Sequence, residues 1–288
     1  MRLSRLGVFV LISITVLLGT NCSFYNRIIG RKNLVDGATA YKERKFEQAE
    51  QLFREAVARD PQGQTPEGKA AQLFLARTLH SRFIGNRDDK AKADEAIAEY
   101  KKALVVDIKD QGSFKAVANL LENLNKNDEA LQWVTERANN EQVPNDRRAE
   151  AFSSLAAKKN TCANEVSDTE ATKKTVARDG KQVFEFVKPA NPADFDKLKL
   201  CADEGLALAT KATELDPNSD SAWSYKTSLL IQKMRVAEMD GNKPQQEEFK
   251  KQSDEAKGKF TVLAEAKRKK EEEEAAKKKA AEAAANKK

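Results

Sequence analysis

Histidine is almost missing from this chain: His80 is the only one in 288 residues. A Ser-His-Asp triad, a metal site built on paired histidines and an HExxH helix are therefore excluded. Cysteine occurs three times, too few for a four-thiolate zinc site, and aromatics make up 7% of the chain. There is no glycine-rich phosphate loop. No catalytic residue, no metal site and no cofactor is expected, and carboxylates, though plentiful, lie on charged helix faces with no pair set apart. A surplus of one charge sign is lacking too. The net charge of +6 looks basic, but Arg2 and Arg5 supply two of those charges. The residues from Ala264 onward supply three more, as nine Lys/Arg against six Glu, so the body between is close to neutral. It offers no basic platform for phosphates, and nucleic acid is excluded as a partner. Finally, no alanine precedes Ala38 and no large apolar residue follows Leu263.

What is present is a repeated pattern of small, large and helix-ending residues. Gly37, Ala49, Phe53, Ala56 and Pro61 stand in the stretch from Gly37 to Pro61. Two helices approach to about 8–10 Å only where the contacting side chains are small. Ala49 and Ala56 fall one face apart on a second helix, Phe53 fills the space between them, and Asp60-Pro61 stops that helix, because proline has no N–H and cannot continue it. A second copy runs through Phe74, Leu75, Ala76 and Leu79 to Ala96, Tyr100, Ala103 and Asp107. Gly37 to Ala49 spans 12 positions and Ala76 to Ala96 spans 20, so this copy has 8 extra residues around Gly85 to Lys90. A third uses Phe114, Val117, Ala118 and Leu121, then Ala130 and Val134, and lacks the closing Asp-Pro. A fourth has Phe152, Leu155 and Ala156, then Gly205, Ala209, Ala212, Asp216 and Pro217. A fifth begins at Ala222, Trp223 and Leu230 and closes with a helix from about Pro244.

These copies resemble the tetratricopeptide repeat family across residues 33–262. The resemblance implies an all-α solenoid of about five helical hairpins, whose stacked repeats bury a continuous core and present a concave binding surface. It implies a protein or peptide partner held in that groove. The family's groove positions fall on Tyr41 and Lys42 in the first repeat, Arg77 and His80 in the second, and Lys115, Asn119 and Asn123 in the third. Lys115 and Asn119 resemble half of the carboxylate clamp of chaperone-binding relatives. The other half departs, since Ser154 stands in the matching place of the fourth repeat and Leu34 and Ala38 in the first. His80 reads equally as a polar groove residue or as a partly buried helix-end histidine.

The first thirty residues bear on compartment. Arg2 and Arg5 precede an apolar run from Gly7 to Gly19, which has the plan of a signal peptide and is short of the roughly 20 apolar residues that span a bilayer. Leu17-Leu18-Gly19-Thr20-Asn21-Cys22 resembles a bacterial lipoprotein signal, which implies that Cys22 is lipidated and begins the mature chain. Gly19 and Asn21 depart from that pattern; an uncleaved anchor and ordinary secretion are the other readings. On the lipoprotein reading residues 1–21 are a signal peptide and 22–32 a membrane-proximal linker. The protein is then exported and held by lipid on the periplasmic side of a membrane in a bacterial cell envelope. Cys162 and Cys201 remain as an even pair where disulfides form. The repeat register sets them on opposite sides of one turn, as a disulfide or as two buried thiols.

Helix period fails over residues 160–195. Lys174–Ala177 and Val183–Val187 flank Asp179-Gly180, the pattern of a β-hairpin, and Asn191-Pro192 suits the N-cap and first position of the next helix. This insertion reads as a recognition element or as a plain elaboration of the repeat. Residues 263–288 form a tail of lysine, glutamate and alanine, strong helix formers with nothing large to anchor them. The tail is a solvated helix or a contact for anionic lipid or cell-wall polymer. Two functions follow: a membrane-tethered extracytoplasmic scaffold that binds a partner in its groove, or a structural linker between envelope layers.

Overall fold

The computed structural model describes residues 25–178 and 180–285, with side chains through residue 282. Cys22, the proposed signal peptide and the start of the linker lie outside the described residues. The chain divides into two compact units, one ending at Ala130 and one beginning at Leu131.

The first unit is a run of antiparallel helices: α1 (25–42), α2 (Phe46–Arg59), α3 (Pro66–Gly85), α4 (Lys90–Val106), α5 (Gln111–Asn123) and the start of α6 (Asn127–Asn139). Helix α2 packs on α3, α3 on α4 and α4 on α5. The small-large-small pattern of α2 is buried throughout, with Ala49 and Phe53 at 0% and Ala56 at 3% exposure. Gly37 makes the close approach possible: a Cβ there would stand 2.7 Å from the Phe53 ring. The turns are set by carboxylates. Asp60 Oδ2 accepts from both the N–H and the hydroxyl of Thr65 at 2.7 Å. Thr65 Oγ1 in turn accepts from Gly68 N–H at 3.0 Å, capping α3 just ahead of Pro66. Asp89 and Asp110 cap α4 and α5 the same way. The 8 extra residues of the second repeat are not a loop. Most of them lengthen the helices, so that α3 runs 9 residues past Ala76 where α1 runs 5 past Gly37, and α4 has 17 residues where α2 has 14.

The second unit holds the rest of α6, then α7 (Asn145–Ser167), β1 (Lys173–Arg178), β2 (Lys181–Phe186), α8 (Pro192–Leu215), α9 (Asp220–Met239) and α10 (Lys243–Ala285). Helices α7 and α8 form a long hairpin, α9 packs on both, and α10 packs on α9. Asn191 caps α8 through the Ala193 N–H, with Pro192 following. The non-helical insertion is shorter than residues 160–195, because α7 persists to Ser167 and α8 begins at Pro192. Cys162 and Cys201 are joined by a disulfide with Cα atoms 6.0 Å apart. Both helices continue past it toward the β-hairpin, so the bond ties two helix shafts within a core of Ala163, Val166, Phe195, Leu198 and Val236.

Strands β1 and β2 pair antiparallel, from Lys173 with Phe186 to Arg178 with Lys181. The base of this hairpin is fastened to the end of α9: Phe186 N–H donates to Glu238 Oε1 at 3.1 Å, and Lys188 pairs with Asp240 at 2.7 Å. The Arg235 guanidinium lies 4.4 Å over the Phe186 ring.

Candidate partner-binding face

The seven groove positions all lie on first helices of successive hairpins in the first unit, and they differ in how far their side chains are already committed. Tyr41, near the end of α1, is half-buried. Its hydroxyl is 3.0 Å from Ser81 Oγ on α3, and its ring meets Phe46 and Phe74 edge-on at 5.4 and 6.3 Å. Phe74 stacks on Phe53 at 5.4 Å, which roots this aromatic patch in the core. Lys42 is exposed beside it. Arg77 is exposed on α3 with its guanidinium 5.7 Å from the Phe74 ring centre.

His80 is half-buried one turn further along α3. Its Nδ1 is 3.4 Å from the Tyr100 hydroxyl and the two rings meet at 88°. Burial, and after it the charge of Arg87, hold the imidazole below its ordinary pKa, so it is kept neutral. Burial likewise pushes the Tyr100 phenol far up. These groups form a neutral polar pair. On α5, Lys115, Asn119 and Asn123 stand at four-residue intervals on one exposed stripe. The Asn123 amide donates to the Asn119 carbonyl at 2.8 Å. Of the positions that depart from the clamp, Leu34 and Ala38 are half-buried on α1. In the second unit, the Ser154 hydroxyl donates to the Glu150 carbonyl at 3.0 Å.

Sequence patterning missed two features. Ser81 and Phe74 belong to the face as the partners of Tyr41. The second is a buried carboxylate on α2. Glu50, 7% exposed on α2, accepts from Arg54 Nη2 at 2.7 Å and Lys92 Nζ at 3.1 Å, and from Arg82 Nη1. Glu95 accepts from Arg54 and Lys92 on the outside, at 2.8 and 3.0 Å. Burial alone would raise the Glu50 pKa, but the hydrogen bonds from Arg82, Arg54 and Lys92 outweigh it and hold it below the usual carboxylate range. The network ties α2, α3 and α4 together. The signal that could have found it is a glutamate between Ala49 and the buried Phe53, with Arg54 one turn on.

Among the described residues, no group of three or more His, Cys, Asp or Glu side chains is arranged to hold a metal ion, and no helix is long and apolar enough to cross a membrane. On α1 and α3 the site presents polar side-chain ends beside the Tyr41 and Phe74 rings.

Hairpins with small residues at the helix crossing, a buried aromatic between them and carboxylate-set turns define a helical repeat protein of the tetratricopeptide type. No family model and no curated protein matches the chain. Among solved structures, PilF of Pseudomonas aeruginosa is 13% identical over 84% of this chain and 99% of its own, with a TM-score of 0.36. YrrB, described as a TPR protein with an unusual peptide-binding site, is 14% identical over 86% of this chain and 97% of its own, with a TM-score of 0.33. A tetratricopeptide repeat protein of Parabacteroides merdae is 10% identical over 82% and 99%, with a TM-score of 0.34. The class follows from the hairpins and their packing, not from these superpositions.

Proposed function

We propose that the chain is a scaffold, tethered to a bacterial membrane outside the cytoplasm through lipid on Cys22, that binds a protein or peptide on the face formed by α1, α3 and α5. The observation that carries this reading is the row of polar ends on those helices. Arg77 and His80 lie one turn apart on α3, where the Arg77 guanidinium lies over the Phe74 ring, and Lys115, Asn119 and Asn123 follow one stripe of α5. Lys42 and Arg77 favour acidic side chains in the partner. The departures at Ser154, Leu34 and Ala38 argue against a clamp for a C-terminal carboxylate.

A photoreactive residue at Asn119, in the full chain in its native membrane, should give one dominant adduct. Its yield should fall when Lys42 and Arg77 are both changed to Glu, with helical content unchanged. An adduct indifferent to that double charge reversal would remove the groove reading. Radiolabelled lipid should enter the wild type and not Cys22→Ser; labelling of both would remove the lipid anchor.

A linker between envelope layers is the second reading, and α10 favours it. This helix has 43 residues, every described side chain from Glu265 onward is exposed, and its last ion pair to the body is Lys267 with Asp220 at 3.1 Å. Loss of the Asn119 adduct on removal of residues 268–288 would support the linker over the groove binder.

A further inference from the structure

The β-hairpin has an edge that its own unit leaves open. Hydrogen bonds alternate along an antiparallel ladder. Val187 N–H donates to the Thr172 carbonyl at 2.9 Å, so the bonded pairs within the ladder are Lys174 with Glu185 and Val176 with Val183. The backbone groups of Gln182, Phe184 and Phe186 therefore point away from β1. Phe186 confirms the phase, since its N–H is the one that donates to Glu238 on α9. Gln182 and Phe184 have no backbone partner on that side among the described residues. Beside them Phe184 is 60% exposed, with Lys173 Nζ 4.4 Å over its ring. An unpaired strand of this kind, with aromatic and β-branched residues and neither proline nor glycine, is a template for another strand.

The sequence of β2 is complementary to itself. When Lys181–Glu185 is laid antiparallel on a second copy with Val183 at the two-fold, Gln182 falls opposite Phe184 of the other copy. Those are the residues whose N–H and C=O groups point outward. In the same register Lys181 falls opposite Glu185 twice, at the positions where facing side chains come closest. The two Phe184 rings lie on one face at diagonal positions, within reach of each other. Sliding by one bonded position toward the base requires the Phe186 N–H, which Glu238 already holds. Sliding the other way sets Lys181 against Val183 and forfeits the charge pairs.

We propose that β2 is a homotypic edge, at which two copies of this chain pair antiparallel about Val183 into a four-stranded sheet of order β1-β2-β2-β1. The antiparallel register places the bases of the two hairpins at opposite ends of the sheet. The pairing is independent of the groove reading, because no groove residue takes part.

Three full-length variants test it by sedimentation. Lys181→Glu and Glu185→Lys each turn two attractive pairs into repulsive ones and should weaken the dimer by about tenfold or more. The double variant exchanges the partners and should restore it. A second test fixes the register. Paired Cα atoms about 4.5 Å apart at unbonded positions accept a disulfide, so Val183→Cys should crosslink on oxidation, with peptide mapping placing the bond at residue 183 of both chains. Thr175→Cys, on the far strand, should not. A chain that stays monomeric, or a double variant as weak as the singles, would overturn the proposal, as would crosslinking of Val183→Cys no faster than that of Thr175→Cys.

Discussion

Glu50 is where three helices of the first unit meet on one charge, and protonating it is the direct way to separate them. Its pKa is lowered in the folded state. The stability it contributes is complete above the ordinary carboxylate value and is lost as the pH falls through its own lower value. His80 acts in the same direction: its pKa is also lowered, so its neutral form favours folding until acid charges it. Glu50→Gln should cost about 2 kcal/mol at neutral pH, less than the loss of a fully enclosed ion pair because Arg82 and Arg54 can still reach water. It should also flatten the acid limb of a urea-unfolding series taken down to about pH 3. An unchanged acid limb would show that Glu50 is not the group responsible. Gly37 allows a cleaner steric test. Helix propensity alone would make Gly37→Ala stabilising by about 1 kcal/mol. The added Cβ would meet the Phe53 ring at 2.7 Å, so a net loss of about 1–3 kcal/mol in the same assay is expected.

Among elements, the α7–α8 hairpin shows what the disulfide holds. Changing Cys162 and Cys201 both to Ser should cost roughly 2–4 kcal/mol while leaving the helical signal intact, because the shafts stay packed on α9. Full loss of helix on reduction would mean that the bond is required for folding. The same hairpin marks how far sequence patterning reaches. The alanine and phenylalanine spacing of α2 was legible because small residues at a helix crossing have no other use there. The last turns of α7 were not, because Asn160, Asn164 and Ser167 break the apolar period. The polarity of Asn164 and Ser167 is answered from far along the chain: Ser167 donates to Gln232 at 2.8 Å, Arg235 donates to Ser167 at 3.0 Å, and Gln232 donates to Asn164. Periodicity cannot see a hydrogen bond made to another helix. In α3 the added length was visible but its form was not, since the outcome depends on Phe83, 2% exposed, finding cover. For the partner-binding face, the exposed row on α3 and α5 was legible through the repeat register. The commitment of Tyr41 to Ser81 was not, being a contact between two helices 40 residues apart.

For the whole molecule, the distinctive part is the distal half of α10. Beyond Lys267 it makes no ion pair to the body among the described residues, and it is held as a helix by its own charges. Arg268 reaches Glu272 at 3.7 Å, and the blocks Lys267–Lys270, Glu271–Glu274 and Lys277–Lys279 set opposite charges three and four residues apart. Removing residues 268–288 should therefore leave the unfolding midpoint nearly unchanged, because the cut falls beyond the Lys267 pair with Asp220 and the removed side chains are exposed. A large drop would mean that the tail packs on the body. A self-supporting helix also couples distance to azimuth. Each residue advances it by about 1.5 Å and turns it by about 100°. Deleting two residues from this stretch draws the tip in by only about 3 Å but swings it to nearly the opposite side, whereas deleting seven shortens it by about 10 Å and leaves its bearing almost unchanged. On the linker reading the tail would set both a distance and a direction, and these two deletions separate the one from the other.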